Sequence, residues 1–175
     1  DVDVSVLVHD DGSSDDTLDI IKDYGFPVVG SEHLGAARGF FYLLGEAPEA
    51  DYYAFCDQDD IWDDDKLACA VDRLVAAGSS GDPGVPVHAL YCCSTRLVAE
   101  DGTFIQDHII DSTRTLPSRL FYASISGNTI CLNRQMRDIA LTHIPDRMIM
   151  HDTWLVKLCI ATGGRLVIDE QPHMS

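Results

Sequence analysis

The sequence predicts an α/β fold in which a mainly parallel sheet is flanked by helices. Short apolar runs alternate with longer helical segments from Val4 to about Ala77, which is typical of βαβ units. The chain has 175 residues, of which 46% are hydrophobic and 23% are charged, as expected for one domain with its own core. Aspartates follow two of the predicted strands, and ligands of such sheets bind beyond the carboxyl ends of strands. We therefore expect a single domain over residues 1–175, with both aspartate clusters lining one crevice.

Turn and cap residues delimit the first strand and the first helix. The strand Val4–Val8 runs into an Asp-rich turn, after which Ser13 or Ser14 is expected to cap a helix. Carboxylates in the first turn of that helix favour the positive end of its dipole. The helix is expected to end at Gly25.

Apolar runs and helical spacing define the next elements as far as residue 77. FPVVG (26–30) and DYYAFCD (51–57) are predicted strands, and LGAARGFFYLLGEA (34–47) is a predicted helix that Gly39 weakens. The segment DDDKLACAVDRLVAA (63–77) predicts an amphipathic helix. Its apolar residues at helical spacing are Leu67, Ala70, Val71, Leu74 and Val75.

The second half of the chain predicts a hairpin followed by mixed elements. Two strands flank the turn EDG within residues 87–106. The remaining predicted elements are a short helix Pro117–Tyr122, a strand in 125–134, helices from about Gln135 and over 151–164, and a last strand over 165–170.

Net charge and cysteine spacing exclude several classes of function. The net charge of −17 argues against nucleic-acid binding, and it disfavours an anionic phosphate ligand unless a metal ion intervenes. The six cysteines contain no C-x-x-C pair, which indicates free, buried thiols rather than a disulfide framework or a zinc site. No apolar run approaches the length of a transmembrane helix.

The stretch AFCDQDDIWDDDKL (54–67) divides into two halves with different explanations. Asp63–Asp65 open the amphipathic helix, where carboxylates are favoured by the helix dipole. Asp57 and Asp59 come before the helix, and two hard oxygen donors on a loop suit Mg²⁺ or Mn²⁺. A calcium-binding EF-hand counted from Asp57 fails, because Trp62 stands where glycine is required and Ala68 where glutamate is required.

Four motifs in this order resemble the family 2 glycosyltransferases, which have a GT-A fold. The resemblance is closest to the bacterial branch described as rhamnosyltransferases. It rests on VHDDGSSDDT (8–17), LGAARGF (34–40), FCDQDDIWDDDKL (55–67) and HDTWL (151–155).

The resemblance implies an enzyme, its cofactor and its partners. A metal-dependent, inverting transferase would move a sugar from a UDP- or dTDP-sugar, rhamnose among the candidates, to a saccharide or lipid-linked acceptor. The process implied is cell-surface polysaccharide synthesis. The expected location is the cytoplasm, with peripheral contact at the inner face of the membrane where the acceptor is lipid-linked. No oligomeric state is predicted.

The resemblance also implies roles on the donor side of the site. Asp11, with Asp10 beside it, would read the nucleoside base, or would shape the loop as an Asx-turn. Arg38 would lie near the nucleotide, or would be an exposed helix arginine. Asp57 would lie near the ribose and share the metal with Asp59, which would ligate the ion that bridges the diphosphate.

On the acceptor side, the resemblance makes Asp152 the general base that takes the proton of the acceptor hydroxyl. It places His151, the preceding residue, at the acceptor or donor sugar. Alternatively, His151 and Asp152 suit the cap of a helix. Trp154 would stack on the acceptor sugar, or would belong to the core. Gly127 and Asn128 would form a loop that faces the donor sugar, or an ordinary turn.

The sequence also departs from the family pattern. Family members usually begin with an earlier strand–helix unit and continue into a Tyr-Arg-x-His stretch, so we expect a domain that is partial at both ends. His173 precedes the position of that histidine and receives no role. Two alternatives remain: a nucleotidyltransferase, although no Gly-rich phosphate loop is visible, and a non-catalytic module that binds sugar nucleotides.

Overall fold

A computed structural model describes residues 2–30, 32–79, 86–115, 118 and 125–175. Within these ranges the chain forms helix-flanked sheets, and this confirms the predicted α/β class. The elements are β1 (Val8–His9), α1 (Thr17–Asp23), β2 (Val28–Val29), α2 (Ala36–Glu46), β3 (Tyr52–Ala54), α3 (Lys66–Gly78), β4 (Ala89–Val98), β5 (Phe104–His108), a 3₁₀ turn (Gly127–Thr129), β6 (Cys131–Asn133), α4 (Arg134–Thr142), α5 (His151–Ala161) and β7 (Arg165–Pro172).

The main sheet is mixed, so the prediction of a mainly parallel sheet was wrong in this respect. Its strands follow the order β3-β6-β4-β5, and β7 also pairs with β4. The β4–β7 pair is parallel, whereas β6 is antiparallel to both β3 and β4. Strands β3 and β4 do run in the same direction and are joined through α3, as a βαβ unit requires. The alternation of elements predicts the direction of linked strands, but it does not show that a later strand lies between them.

The N-terminal unit is less regular than the sequence predicted. β1 covers only Val8–His9, rather than Val4–Val8, and pairs in parallel with β2 in a separate two-stranded sheet. The N-cap of α1 is Asp16, not a serine. The reason lies in Asp15, whose carboxylate accepts hydrogen bonds from the backbone N–H and the hydroxyl of Thr17 and so shapes the turn. Gly25, at φ +75°, follows the helix end as predicted.

Strand β4 is the centre of the core and separates its two halves. Leu90 and Cys92 point to one face, where they pack with apolar residues of α2, α4 and α5. Tyr91 and Cys93 point to the other face, where they pack with Ala70 and Leu74 of α3 and with neighbouring side chains. The predicted apolar face of α3 is therefore confirmed at these two positions, whereas Val75 is half exposed.

Further sequence predictions have mixed outcomes. The hairpin around the turn EDG is formed by β4 and β5. Asn133 caps α4, because its side chain accepts a hydrogen bond from the backbone N–H of Met136. The predicted helix Pro117–Tyr122 lies outside the described residues. In the ranges that the structure covers, no helix is long and apolar enough to cross a membrane.

Candidate active site

The loop that follows β3 concentrates negative charge. The backbone N–H of Asp57 donates to the carboxylate of Asp60 at 3.1 Å, which folds the loop into a tight turn. Asp57 is half-buried, whereas Asp59 is exposed. Burial raises the pKa of the Asp57 carboxyl, and the charges of Asp60, Asp59 and Asp152 raise it further. The carboxylates of this loop therefore carry more negative charge than the neighbouring positive side chains neutralise.

Asp60 joins this loop to the 3₁₀ turn at Gly127–Thr129. The side-chain amide of Asn128 donates to the Asp60 carboxylate at 2.6 Å. Asp60 has no role predicted from the sequence, although it is the neighbour of Asp59 in the same motif. The structure thus connects Asn128, predicted to face the donor sugar, to the predicted metal-binding loop.

Lys66 is a second residue that the sequence analysis missed. Only 3% of it is exposed, and its amine lies 2.8 Å from the carbonyl oxygen of Asn128 and 3.8 Å from the centroid of the Trp62 ring. Burial lowers the pKa of Lys66 to about 8. The signal in the sequence is its spacing, since Lys66 precedes Ala70 and Leu74 by one and two helical turns and shares their buried face.

Helix α5 begins at the same site with two buried polar residues. Asp152 is 9% exposed, and its carboxylate accepts the backbone N–H of Thr153. His151 is 2% exposed and lies between the rings of Phe40 and Phe55, with centroid distances of 4.2 and 5.3 Å. The N-cap is Met150, so His151 and Asp152 lie in the first turn rather than at the cap.

Gly127 allows the 3₁₀ turn to approach the start of α5 closely. Among the described residues, neither ring nitrogen of His151 has a hydrogen-bond partner. A Cβ atom at position 127 would lie only 2.2 Å from Nε2 of His151. Because the ring of His151 fills this space, residue 127 has no room for a side chain. Burial also lowers the pKa of His151, so its imidazole is neutral at physiological pH.

The side chains of Trp154 and Arg38 make contacts with one loop. The indole N–H of Trp154 donates to the carbonyl oxygen of His143 at 2.9 Å, and its ring packs against the main core. Arg38 is exposed on α2 and donates to the carbonyl oxygen of Asp146 at 3.1 Å. The contacts fit the structural alternatives for both residues, and their ligand-binding roles stay predictions.

The carboxylates of the first turn bond to backbone N–H groups. Asp10 accepts from Gly12 at 3.1 Å and from Ser13 at 3.0 Å, and the hydrogen bonds to Ser13 hold its pKa below its ordinary value. Asp11 accepts from Leu34 and Gly35 at the start of α2. Burial would raise the Asp11 pKa, but the bonds to these two N–H groups together lower it.

The two aspartate clusters belong to different sheets. The Asp10–Asp11 turn follows β1 of the two-stranded sheet, whereas Asp57 and Asp59 follow β3 of the five-stranded sheet. The prediction that both line one crevice therefore stays a prediction, while the charges of Asp60, Asp59 and Asp152 all act on the Asp57 carboxyl.

A comparison with protein families decides the affiliation of this fold. The family model described as glycosyl transferase family 2 matches residues 2–90, about half of the chain. The chain belongs to glycosyl transferase family 2. The matched range contains both aspartate clusters, while Gly127, Asn128 and Asp152 lie beyond it. The family predicted from the sequence motifs is thereby confirmed.

Relatives of this family 2 chain add a more specific likeness. The chain is 36% identical over 85 residues to a protein named dTDP-rhamnosyl transferase RfbG from Shigella flexneri. The alignment covers 43% of this chain and 29% of that protein, so the chain spans less than a third of the length of this relative. The likeness supports the predicted rhamnosyltransferase-like branch.

A solved structure is also similar to the chain. It is an inositol-1-phosphate CTP transferase from T. maritima, with a TM-score of 0.48 and 11% sequence identity. The likeness covers 98% of this chain and 67% of that one. Similarity at this level assigns no function.

Proposed function

We propose that the chain is the catalytic part of a metal-dependent, inverting glycosyltransferase with a nucleoside-diphosphate sugar as donor. The supporting observation is that the charge of Asp152 contributes, after burial and the charges of Asp60 and Asp59, to the raised pKa of Asp57, although Asp152 lies far away in the sequence. This effect supports a site in which the proposed base and the proposed metal ligands act on the same substrate. Perturbed carboxyl groups that converge in this way are typical of catalytic sites.

The loop after β3 fits a divalent cation such as Mg²⁺ or Mn²⁺. Its donors are hard carboxylate oxygens, which these ions prefer. Burial and the charges of neighbouring carboxylates raise the pKa of Asp57, and a bound cation would favour its ionised form. Bound there, the cation would offset the charge that collects on the leaving diphosphate. Asp57 and Asp59 would hold it, and Asp60 would keep their loop in place through its bond to Asn128.

Asp152 would act as the general base of the transfer. In the proposed step, the acceptor oxygen forms a bond to the anomeric carbon while the bond from that carbon to the diphosphate oxygen breaks. The proton of the acceptor hydroxyl passes to the Asp152 carboxylate. The N–H of Thr153 orients this carboxylate, and the buried ring of His151 supports the helix turn that carries it.

The name of the Shigella relative makes dTDP-rhamnose the first donor to test. The proposed acceptor is a saccharide or a lipid-linked saccharide of cell-surface polysaccharide synthesis. A lipid-linked acceptor would place the reaction at the cytoplasmic face of the membrane.

Calorimetric titration of UDP and dTDP tests the donor site. We expect binding in Mn²⁺ that is lost in EDTA and in Asp59→Asn. Asp64→Asn is the matched control, because Asp64 is an exposed aspartate in the same motif and its loss changes the net charge equally. Binding of both nucleotides that ignores Mn²⁺ and Asp59 would contradict the proposed metal site.

A transfer assay tests the base. Asp152→Asn should bind dTDP as the wild type does but should lose transfer from dTDP-rhamnose by at least about 100-fold, the usual contribution of a general base. Equal turnover by this variant and the wild type would contradict the role of Asp152. A wild-type chain that binds nucleotide without turnover would instead favour the non-catalytic alternative.

A further inference from the structure

Three metal-ligating side chains meet at a place that the proposed active site does not use. Asp65 precedes α3, Cys69 lies in the first turn of α3, and His173 follows β7. One ligand atom of each lies within 4.8 Å of the other two. Nδ1 of His173 is 3.2 Å from Oδ1 of Asp65, and Sγ of Cys69 is 3.7 Å from Oδ2 of Asp65.

These separations match the edges of a tetrahedral zinc site. Zinc binds nitrogen and oxygen at about 2.0–2.2 Å and thiolate sulfur at about 2.3 Å, so its ligand atoms lie roughly 3.3–3.7 Å apart. The separations of 3.2 Å and 3.7 Å, which run to the two different oxygens of the Asp65 carboxylate, are close to this range. Because no two of the three ligand atoms are more than 4.8 Å apart, a contraction of about 1 Å at most would bring them around one ion.

The far side of the His173 ring has the partner that a zinc-binding histidine usually has. Nε2 of His173 lies 3.5 Å from Oδ2 of Asp169, a carboxylate that is 5% exposed. Asp169 is held in turn by the hydroxyl of Tyr91 and the guanidinium of Arg73, each at 3.4 Å. A carboxylate on the far side of the ring orients a metal-binding histidine, and it would hold the proton on Nε2 once Nδ1 binds a metal ion.

We propose that Asp65, Cys69 and His173 form a zinc site distinct from the cation site at Asp57 and Asp59. Thiolate and imidazole ligands select Zn²⁺ over Mg²⁺ and Mn²⁺, which prefer oxygen. The side chain of Asp65 is 62% exposed, so a water molecule can take the fourth position. The ion would fasten the beginning of α3 to the end of β7, immediately beyond the Lys66 contacts with Asn128 and Met174.

Cobalt absorption provides a direct test on the whole chain. Co²⁺ substitutes for Zn²⁺, and a thiolate ligand gives a sulfur-to-cobalt charge-transfer band. We expect the reduced, metal-free protein to develop this band with one equivalent of Co²⁺ and to lose it when Zn²⁺ displaces the cobalt. The band should be absent in Cys69→Ser.

Two control variants make the assignment specific. Cys56→Ser removes the other thiol with substantial exposure, which lies beside the Asp57 loop, and should keep the band. Asp57→Asn should also keep it, and this result separates the zinc site from the proposed catalytic cation. His173→Gln should weaken Zn²⁺ binding by at least about 10-fold.

The outcomes that would overturn the zinc site are equally direct. A wild-type protein without the band holds only an Asp65–His173 ion pair with a nearby thiol. A band that survives Cys69→Ser, or that disappears in Cys56→Ser, places the metal elsewhere. Circular dichroism checks the fold of each variant. If Cys69→Ser is unfolded, the zinc site is tested instead by the band of the wild type and its loss in Asp65→Asn.

Discussion

Replacement of Gly127 by alanine should be strongly destabilising, because the new methyl group has no space. Its Cβ would lie 2.2 Å from Nε2 and 2.6 Å from Cε1 of His151, where ordinary contact begins at 3.4 Å. The imidazole cannot withdraw easily, since it is 2% exposed and flanked by Phe40 and Phe55. Overpacking of a core costs about 1–3 kcal/mol, and a shortfall of this size belongs at the upper end.

The corresponding change in melting temperature is large enough to measure by calorimetry or circular dichroism. A domain of this length loses about 2–4 °C per kcal/mol, so a cost of about 3 kcal/mol lowers Tm by about 6–12 °C. Gly78→Ala is the matched control, because no heavy atom lies within 4 Å of its added Cβ at the end of α3. That variant should gain about 0.4–1 kcal/mol.

A double mutant isolates the clash itself. In Gly127→Ala with His151→Ala, the ring that obstructs the methyl group is gone, so the two changes should be less harmful together than their sum. We expect a coupling free energy of at least about 1 kcal/mol, as is usual for residues in contact. A clash between the methyl group added at position 127 and the His151 ring is refuted if Gly127→Ala melts within about 1 °C of the wild type, or if the cycle shows no coupling.

Three further substitutions test the electrostatics and packing around the site. Burial lowers the pKa of Lys66 from 10.5 to about 8, so the unfolded chain binds more protons between these values; denaturant titrations should show the wild type gaining stability relative to Lys66→Met as pH rises from 8 to about 10.5, and a constant difference would argue against a buried amine. Asp57→Asn should raise Tm at pH 7, because burial and nearby carboxylates raise the Asp57 pKa and make its ionised form costly; an unchanged or lower Tm would contradict this. Trp154→Phe loses the bond to the carbonyl of His143, worth about 1 kcal/mol, and should melt about 2–4 °C lower, whereas an unchanged Tm would leave that bond without a role in stability.

Features that depend on local chemistry were predictable from the sequence. Helical spacing identified the buried face of α3 at Ala70 and Leu74, and the turn EDG identified the β4–β5 hairpin. Four motifs in order were sufficient to identify the family. Each of these features is encoded within one or two neighbouring segments, where periodicity and turn residues act directly on the backbone.

Features that depend on distant segments were not predictable in the same way. Nothing near β3 indicates that Cys131–Asn133 would pair with it in antiparallel orientation. Cys69 carries no zinc-binding spacing, because the histidine that meets it lies near the end of the chain. The spacing of Lys66 to Ala70 and Leu74 signals the buried face of α3, but its contacts with Asn128, Met174 and Trp62 are visible only in the structure.

The placement of β6 between β3 and β4 has a consequence for synthesis on the ribosome. Tyr53 of β3 pairs with Leu132, 79 positions later in the chain. At about 5–20 residues per second, translation takes roughly 4–16 s to deliver that partner. During this interval β3 lacks its partner strand. Tyr53 and Phe55, which are buried in the folded protein, are exposed until the residues that cover them have been synthesised. The nascent chain is therefore most prone to aggregation in the interval between the synthesis of β3 and that of β6.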